Sequence, residues 1–375
     1  MRKLLKVLTI TLILAVVLGI ALFYLLPVPG CGLPVYTTPE ELIIAPDGQV
    51  AYLSDSRAKR LLAFSLADNR LAANLSLPAS TREIAVSRDG AKVYLLSVDP
   101  AGAILVVDAV SKKLERAIEI AGNPAGLALS ADGTRLYTVQ TGLHSLAALD
   151  VASGKVVTSV PVEGDGARIA ITPDGKSLVV GHAHGVTVFD AQSLRMSANY
   201  DTKEAAGRFA LSPDGSKLAY SIGGRETGVR LLDLTSGATE TRATLGLLGE
   251  TAFTSDGSTV IASDIMMPRE RHGSLSIMPA HIPQEVKGAI VPSIPPDRSV
   301  SLALDRFPQA IAIDAKRNRV DVVAIPRQGT STIEVIDGAT HNVLGQIPLP
   351  GAKTWLDRLV AWRAEVLRPK PVQCL

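Results

Sequence analysis

The sequence predicts an all-β fold: a seven-bladed β-propeller of four-stranded antiparallel blades, with an N-terminal transmembrane anchor and a short C-terminal helix. Three observations predict the ring. A phrase ending in Asp-Gly recurs with its Asp at 47, 89, 132, 174, 214 and 256, in steps of 42, 43, 42, 40 and 42 residues. That period is the length of one four-stranded blade. Each phrase separates two apolar runs, as Ser130-Ala131-Asp132-Gly133 separates Leu127-Ala128-Leu129 from Leu136-Tyr137. Asp-Gly between such runs is a hairpin turn, because Gly takes positive φ without steric cost. A second Asp closes a third run at Asp108, Asp150, Asp190, Asp233 and Asp337. Its side chain can bond the backbone of the turn into a fourth run.

The unit therefore reads strand a, Asp-Gly turn, strand b, variable loop, strand c, Asp turn, strand d. One such sheet cannot bury both its faces, and a closed ring of them can. Six units carry Asp-Gly. The seventh runs through Ala310-Ile311-Ala312-Ile313 and 332–337, with 314–318 as its turn and Asn318 suited to the left-handed position. Blade 1 has Ser65 for the second Asp, and blade 6 has Met278-Pro279 near that place. Arg317 stands where the turn Asp would be, 61 residues after Asp256, so blade 6 carries roughly 19 extra residues. The expected positions are the b–c loop, 265–272, and the d–a loop, about 293–308. Blades 1 and 7 each supply four strands, so the ring needs no shared strand to close. Composition agrees, with 4% aromatic and 47% hydrophobic residues, 31 Gly and 23 Pro.

The pattern Ser212-Pro213-Asp214-Gly215 followed by a b-strand, a closing Asp and a Gly or Lys turn resembles the YVTN-repeat (YncE-like) β-propellers. The resemblance covers essentially the whole of 39–350. It implies the fold and leaves function open, because propellers host unrelated roles. Related propellers resemble subunits of periplasmic dehydrogenases or lactone hydrolases, which implies an enzymatic or accessory redox role as an alternative.

Outside the ring, Arg2, Lys3 and Lys6 precede an uncharged stretch, 7–26, long enough to cross a bilayer. Leu26-Pro27-Val28-Pro29-Gly30 lacks a good peptidase site, so the segment reads as an uncleaved signal anchor. The basic residues keep the N-terminus cytoplasmic and place the propeller in the periplasm or on the outer face. A lipoprotein box ending at Cys31 is the alternative. The expected organisation is 1–30 tip and anchor, 31–38 stalk, 39–350 propeller and 351–375 helix and tail. Cys31 and Cys374 are the only cysteines. They flank the ring seam, and an extracytoplasmic setting favours a disulfide between them. Along 353–368, Trp355, Leu359, Trp362 and Val366 form one helical apolar stripe. Its expected place is against the propeller wall, with the membrane surface as the second choice.

The b–c and d–a loops share one face, and variable loops on a rigid scaffold are where binding lives. Glu41, Glu83, Gly126, Arg168, Arg208, Glu250 and Ala310 align at the start of strand a. They are expected to ring the channel mouth on that face. Asp55, Ser97, Gln140, His182, Ile222 and Asp264, at the end of strand b, are expected on the same rim. Met266, Met267, Arg269, Arg271 and His272 of the blade 6 loop complete the candidate binding set for a protein partner or a small anion at Arg168 and Arg208. The competing reading is that these charges pair across the mouth and only solvate it.

The sequence carries few catalytic or metal-binding motifs. There is no Cys-x-x-Cys-His, no Gly-x-Ser-x-Gly, no His-Glu-x-x-His and no Asp-x-Asp-x-Asp-Gly loop. His182 and His184, in Gly181-His182-Ala183-His184-Gly185, with His144 as third ligand, are the nearest approach to a metal site. No cofactor is expected. A net charge of +2, with no basic run outside the first residues, disfavours nucleic-acid binding. The preferred function is a non-catalytic binding or scaffold module. A periplasmic redox or lactone-hydrolysing role and a surface-layer or adhesion module are the alternatives.

Overall fold

The computed structural model describes residues 39–97, 102–164, 166–223, 227–244, 247–266, 273–280, 300–304, 306–325 and 331–350. Its strands form seven separate four-stranded sheets, and in each sheet the order follows the chain. The blades span 39–76, 81–119, 124–161, 166–201, 209–243, 247–304 and 307–348. All pairings are antiparallel, as the Asp-Gly and Asp turns require.

The turns lock themselves. In blade 3 the Ser130 hydroxyl donates to Asp132 Oδ1 at 2.6 Å and accepts the Arg135 N–H at 2.9 Å. Asp132 Oδ1 also accepts the Thr134 N–H at 3.0 Å. Thr172, Ser212 and Thr254 make the same bonds to Asp174, Asp214 and Asp256. These contacts hold the Asp132, Asp214 and Asp256 carboxyls down at about 2, the Ser or Thr hydroxyl being the largest cause. The second Asp accepts the N–H three residues on, as Asp150 does from Ser153 at 2.7 Å. The residue after that takes positive φ: Lys112, Gly154, Leu194, Gly237 and His341. Asn318 does so in the blade 7 turn, as its residue type predicts.

Burial follows strand position. Strands b and c are covered on both faces, whereas the outer strand d is exposed, as in 113–119 of blade 2. Seven apolar clusters fill the seven spaces between neighbouring blades. Leu42, Leu53, Leu62, Ala310 and Val323 join blade 7 to blade 1, for example, and Leu218, Tyr220, Val179 and Val186 join blades 4 and 5.

The ring closes by packing and polar contacts, without a shared strand. On the turn face Arg317 donates to Gly48 O at 2.7 Å, Arg319 to Asn69 Oδ1 at 2.9 Å, and Lys316 to Asp47 O. Asp314 and Asp321, each 1% exposed, flank Arg319 there, and burial pushes Asp321 up to about 6 despite that arginine. On the loop face Arg60 of blade 1 donates to Pro350 O at 2.6 Å, after the last strand, while paired with Asp55 at 2.9 Å.

One expectation is corrected. Residues 300–304 form strand d of blade 6, paired with strand c at 273–279, and strand a of blade 7 begins at Phe307. The extra residues therefore fall mainly between strand c, which ends at Pro279, and strand d, which begins at Val300, and not in the d–a loop. Strand c of blades 2 to 5 and 7 ends at the turn Asp, which blade 6, like blade 1, lacks. The anchor, the stalk, Cys31, Cys374 and 351–375 lie outside the described residues. Among the described residues no helix is long and apolar enough to cross a membrane.

Candidate functional site

Strand a is the inner edge of each blade, so half of its backbone groups face the channel without a strand partner. The register of strand a slips between Pro39 and Glu41, between Thr81 and Glu83, and between Gly166 and Arg168. Such a bulge re-aims one side chain. Glu41, Glu83 and Arg168 each stand just after it, at the mouth on the loop face. The Glu41 carboxylate accepts the Ile84 N–H of the next blade, and Glu83 accepts the Leu127 N–H at 3.2 Å. Each carboxylate thus caps the open inner edge of its neighbour.

Blade 3 has Gly126 at this place, with φ +74°. A Cβ there would lie 2.7 Å from Ile169 N and 3.1 Å from the Arg168 carbonyl carbon. The glycine lets strand a of blade 4 come close. Arg168 then reaches across the channel to Glu41 of blade 1 at 2.9 Å and lies 4.0 Å from Glu83 of blade 2. Arg208, just ahead of its strand in blade 5, pairs with Glu250 of blade 6 and lies 3.7 Å from Glu40 of blade 1.

The charges at the mouth therefore do pair. Arg168 is 19% exposed at its side chain, whereas Arg208 is 48% exposed. Four carboxylates meet two guanidinium groups, which leaves the mouth short of positive charge. Burial pushes Glu41 up to about 8, against the pull of Arg168 and with repulsion from Glu83. Burial raises Glu83 as well. For Arg168 burial opposes the charge, but Glu83, Glu41 and Glu250 outweigh it and hold its pKa above the ordinary arginine value. Glu40 was not distinguished in the sequence from its neighbour Glu41, and nothing in a one-residue offset would distinguish it. Ala310 of blade 7 is buried.

The second expected ring is not a rim. Asp55, Ser97, Gln140, His182, Ile222 and Asp264 are each at most 6% exposed. Asp55, Gln140, His182 and Asp264 tie strand b to strand c. Asp55 pairs with Arg60, Gln140 accepts from Ser145 at 3.0 Å, and Asp264 accepts from Ser274 at 2.9 Å and Ser276 at 2.7 Å. A polar residue at the end of a strand looks like a rim residue in sequence. The neighbouring blade covers it.

His182 shares this fate. Thr187 donates to Asn199 Oδ1 at 3.1 Å, so Thr187 Oγ1 accepts the His182 Nε2–H at 3.1 Å. His182 Nδ1 accepts the His184 N–H at 3.3 Å. Both ring nitrogens are engaged, and burial lowers the pKa further toward the neutral form. Gly181 and Gly185 are there for clearance: a Cβ would lie 1.9 Å from Ala206 O and 2.0 Å from Tyr200 O. His184 is exposed and borders a cleft of about 470 Å³ with Glu163, Asp201 and Lys203. His144 is exposed and left-handed, at the end of the short 3₁₀ turn Thr141–Leu143. Among the described residues no group of three His, Cys, Asp or Glu side chains is placed to hold a metal. Met266 extends strand b of blade 6, and Met267, Arg269, Arg271 and His272 lie outside the described residues.

No protein-family model matches the chain, and no curated protein matches it. Among solved structures, a chain of Kuenenia stuttgartiensis hydrazine synthase is similar, with a TM-score of 0.64 and 15% identity. The match covers 87% of this chain and 99% of that one. At that identity the likeness speaks for the fold: this chain is an all-β seven-bladed propeller.

Proposed function

We propose that the protein is an extracytoplasmic, membrane-tethered scaffold of the YVTN-like kind that binds a protein partner on its loop face, around the channel mouth, without doing chemistry itself. One observation carries this reading. The turn face spends its carboxylates on its own turns, whereas the loop face gathers charged side chains from blades 1, 2, 4, 5 and 6 into one mouth. A protein partner fits better than the small anion, because both arginines there already have carboxylate neighbours. The reading is tested by crosslinking in cells, purification in mild detergent and identification of what copurifies. A stoichiometric protein, reduced about tenfold or more by Glu83→Gln with Glu250→Gln, is expected, as for charge pairs that set docking. Capture that is indifferent to those changes would contradict it.

A catalytic reading has one specific observation in its favour. Glu41 is pushed up to about 8 beside a second raised carboxylate, Glu83, and perturbed pairs of this kind also occur at sites of acid–base work. A small molecule or chromophore copurifying in place of a protein would favour it.

A further inference from the structure

The Glu41–Glu83 pair is held in place independently of any ligand. Each carboxylate is fixed by a backbone N–H of the following blade, Ile84 for Glu41 and Leu127 for Glu83. Into this pair comes a guanidinium group from almost the opposite side of the ring, that of Arg168. The fold thereby contains its own example of what the pair receives. Arg168 is the guanidinium group that lies near both carboxylates, and Arg208 is occupied with Glu250 and Glu40. Two more polar groups stand close by in the strands. Ser54, opposite Glu41 in the strand pairing, and Thr81, two residues before Glu83, are fully buried, and neither hydroxyl has a hydrogen-bond partner. Buried hydroxyls without a partner are costly unless something satisfies them.

We infer that the Glu41–Glu83 pair is a receptor for the guanidinium group of an arginine presented by a partner protein, and that Arg168 is the internal occupant which that arginine displaces. The inference rests on the docking reading above and names the chemistry of its central contact. An arginine suits two carboxylates because its planar fork donates to both at once. Exchange of one guanidinium for another conserves the charge of a partly desolvated site, which entry of an anion or a neutral group would not. Arg168 then acts as a competitor that keeps the mouth filled until a partner is present. The state of Glu41 agrees with this: burial raises its pKa although Arg168 pulls it down, and repulsion from Glu83 adds to the rise.

The test uses the full chain in mild detergent, with ethylguanidinium as probe and ethylurea as its neutral counterpart. Arg168→Ala vacates the receptor. It should bind ethylguanidinium about tenfold more tightly than the parent protein, on the scale of close charge pairs, and should ignore ethylurea. Binding should release a proton from Glu41, seen as a heat that depends on the buffer. Arg168→Met retains the aliphatic stem and should show the same gain if Arg168→Ala folds poorly. Adding Glu83→Gln should remove the gain. Equal binding of ethylurea, or no gain in either variant, would overturn the inference. The two readings fail differently in cells. If a partner is captured at the mouth but ethylguanidinium never binds the vacated site, the exchange idea alone falls. If ethylguanidinium binds while capture ignores every mouth variant, the docking reading falls, and the partner arginine with it.

Discussion

At the scale of single residues, one hydroxyl and one carboxylate fix each blade's first turn. Ser130 donates to Asp132 and accepts from Arg135 N–H, and Asp132 accepts from Thr134 N–H. Ser130→Ala removes two of these bonds and should cost about 1–2 kcal/mol, measured by denaturant unfolding. The pH dependence has a definite sign. The Asp132 carboxyl lies at about 2 when folded and higher when unfolded, so its stabilisation is present above pH about 4 and is lost as pH falls toward about 2. The Ser130→Ala variant should lose less on acidification than the parent. This turn was legible in the sequence because its bonds are local: spacing of two and five residues determines them. The mouth was legible only in part. Alignment gave the positions of Glu41, Glu83, Arg168, Arg208 and Glu250, but not that Arg168 crosses the channel to Glu41, 127 residues away. Nothing local encodes a pairing at that separation.

At the scale of elements, the hairpin around Gly181-His182-Ala183-His184-Gly185 shows how a motif read as chemistry can be packing. A Cβ on residue 181 would meet Ala206 O at 1.9 Å, which backbone movement alone could relieve. Gly181→Ala should therefore cost about 1–3 kcal/mol, the range for overpacking in a well-filled site, measured as a fall in the unfolding midpoint. His182→Ala should leave any bound transition metal unchanged, since both ring nitrogens serve hydrogen bonds. The period of about 42 residues placed the strands of six blades, because each apolar run is bounded by a turn signal. Strand d of blade 6 escaped it. Its apolar run, Val300-Ser301-Leu302-Ala303-Leu304, follows a long insertion, and with no turn Asp to count from it read as loop. The strand-b ends were misplaced for a different reason. The alternation of a strand identifies its two faces, but which of them a neighbouring blade covers depends on the closed ring.

At the scale of the whole molecule, seven equivalent interfaces make the ring, and the seam between blades 7 and 1 is the one that the chain does not join. Apolar packing carries it as it carries the other six, and charged groups add to it on both faces. Such a scaffold offers two faces of different character. Among the described residues the turn face is self-satisfied and repeats from blade to blade. The loop face carries the mouth, where charges from five blades meet and one half-exposed arginine remains open to solvent. On the proposed function, a partner docks on this second face. The most direct measurement is site-specific photo-crosslinking in cells, with the reactive side chain placed at position 82, beside Glu83 on the loop face, and separately at position 176 on the turn face. Both positions are exposed, so each can report a neighbour. A discrete crosslinked protein is expected from position 82, lost with Glu83→Gln and Glu250→Gln, and none from position 176. A product from position 176 alone would place the partner on the turn face and contradict the docking reading.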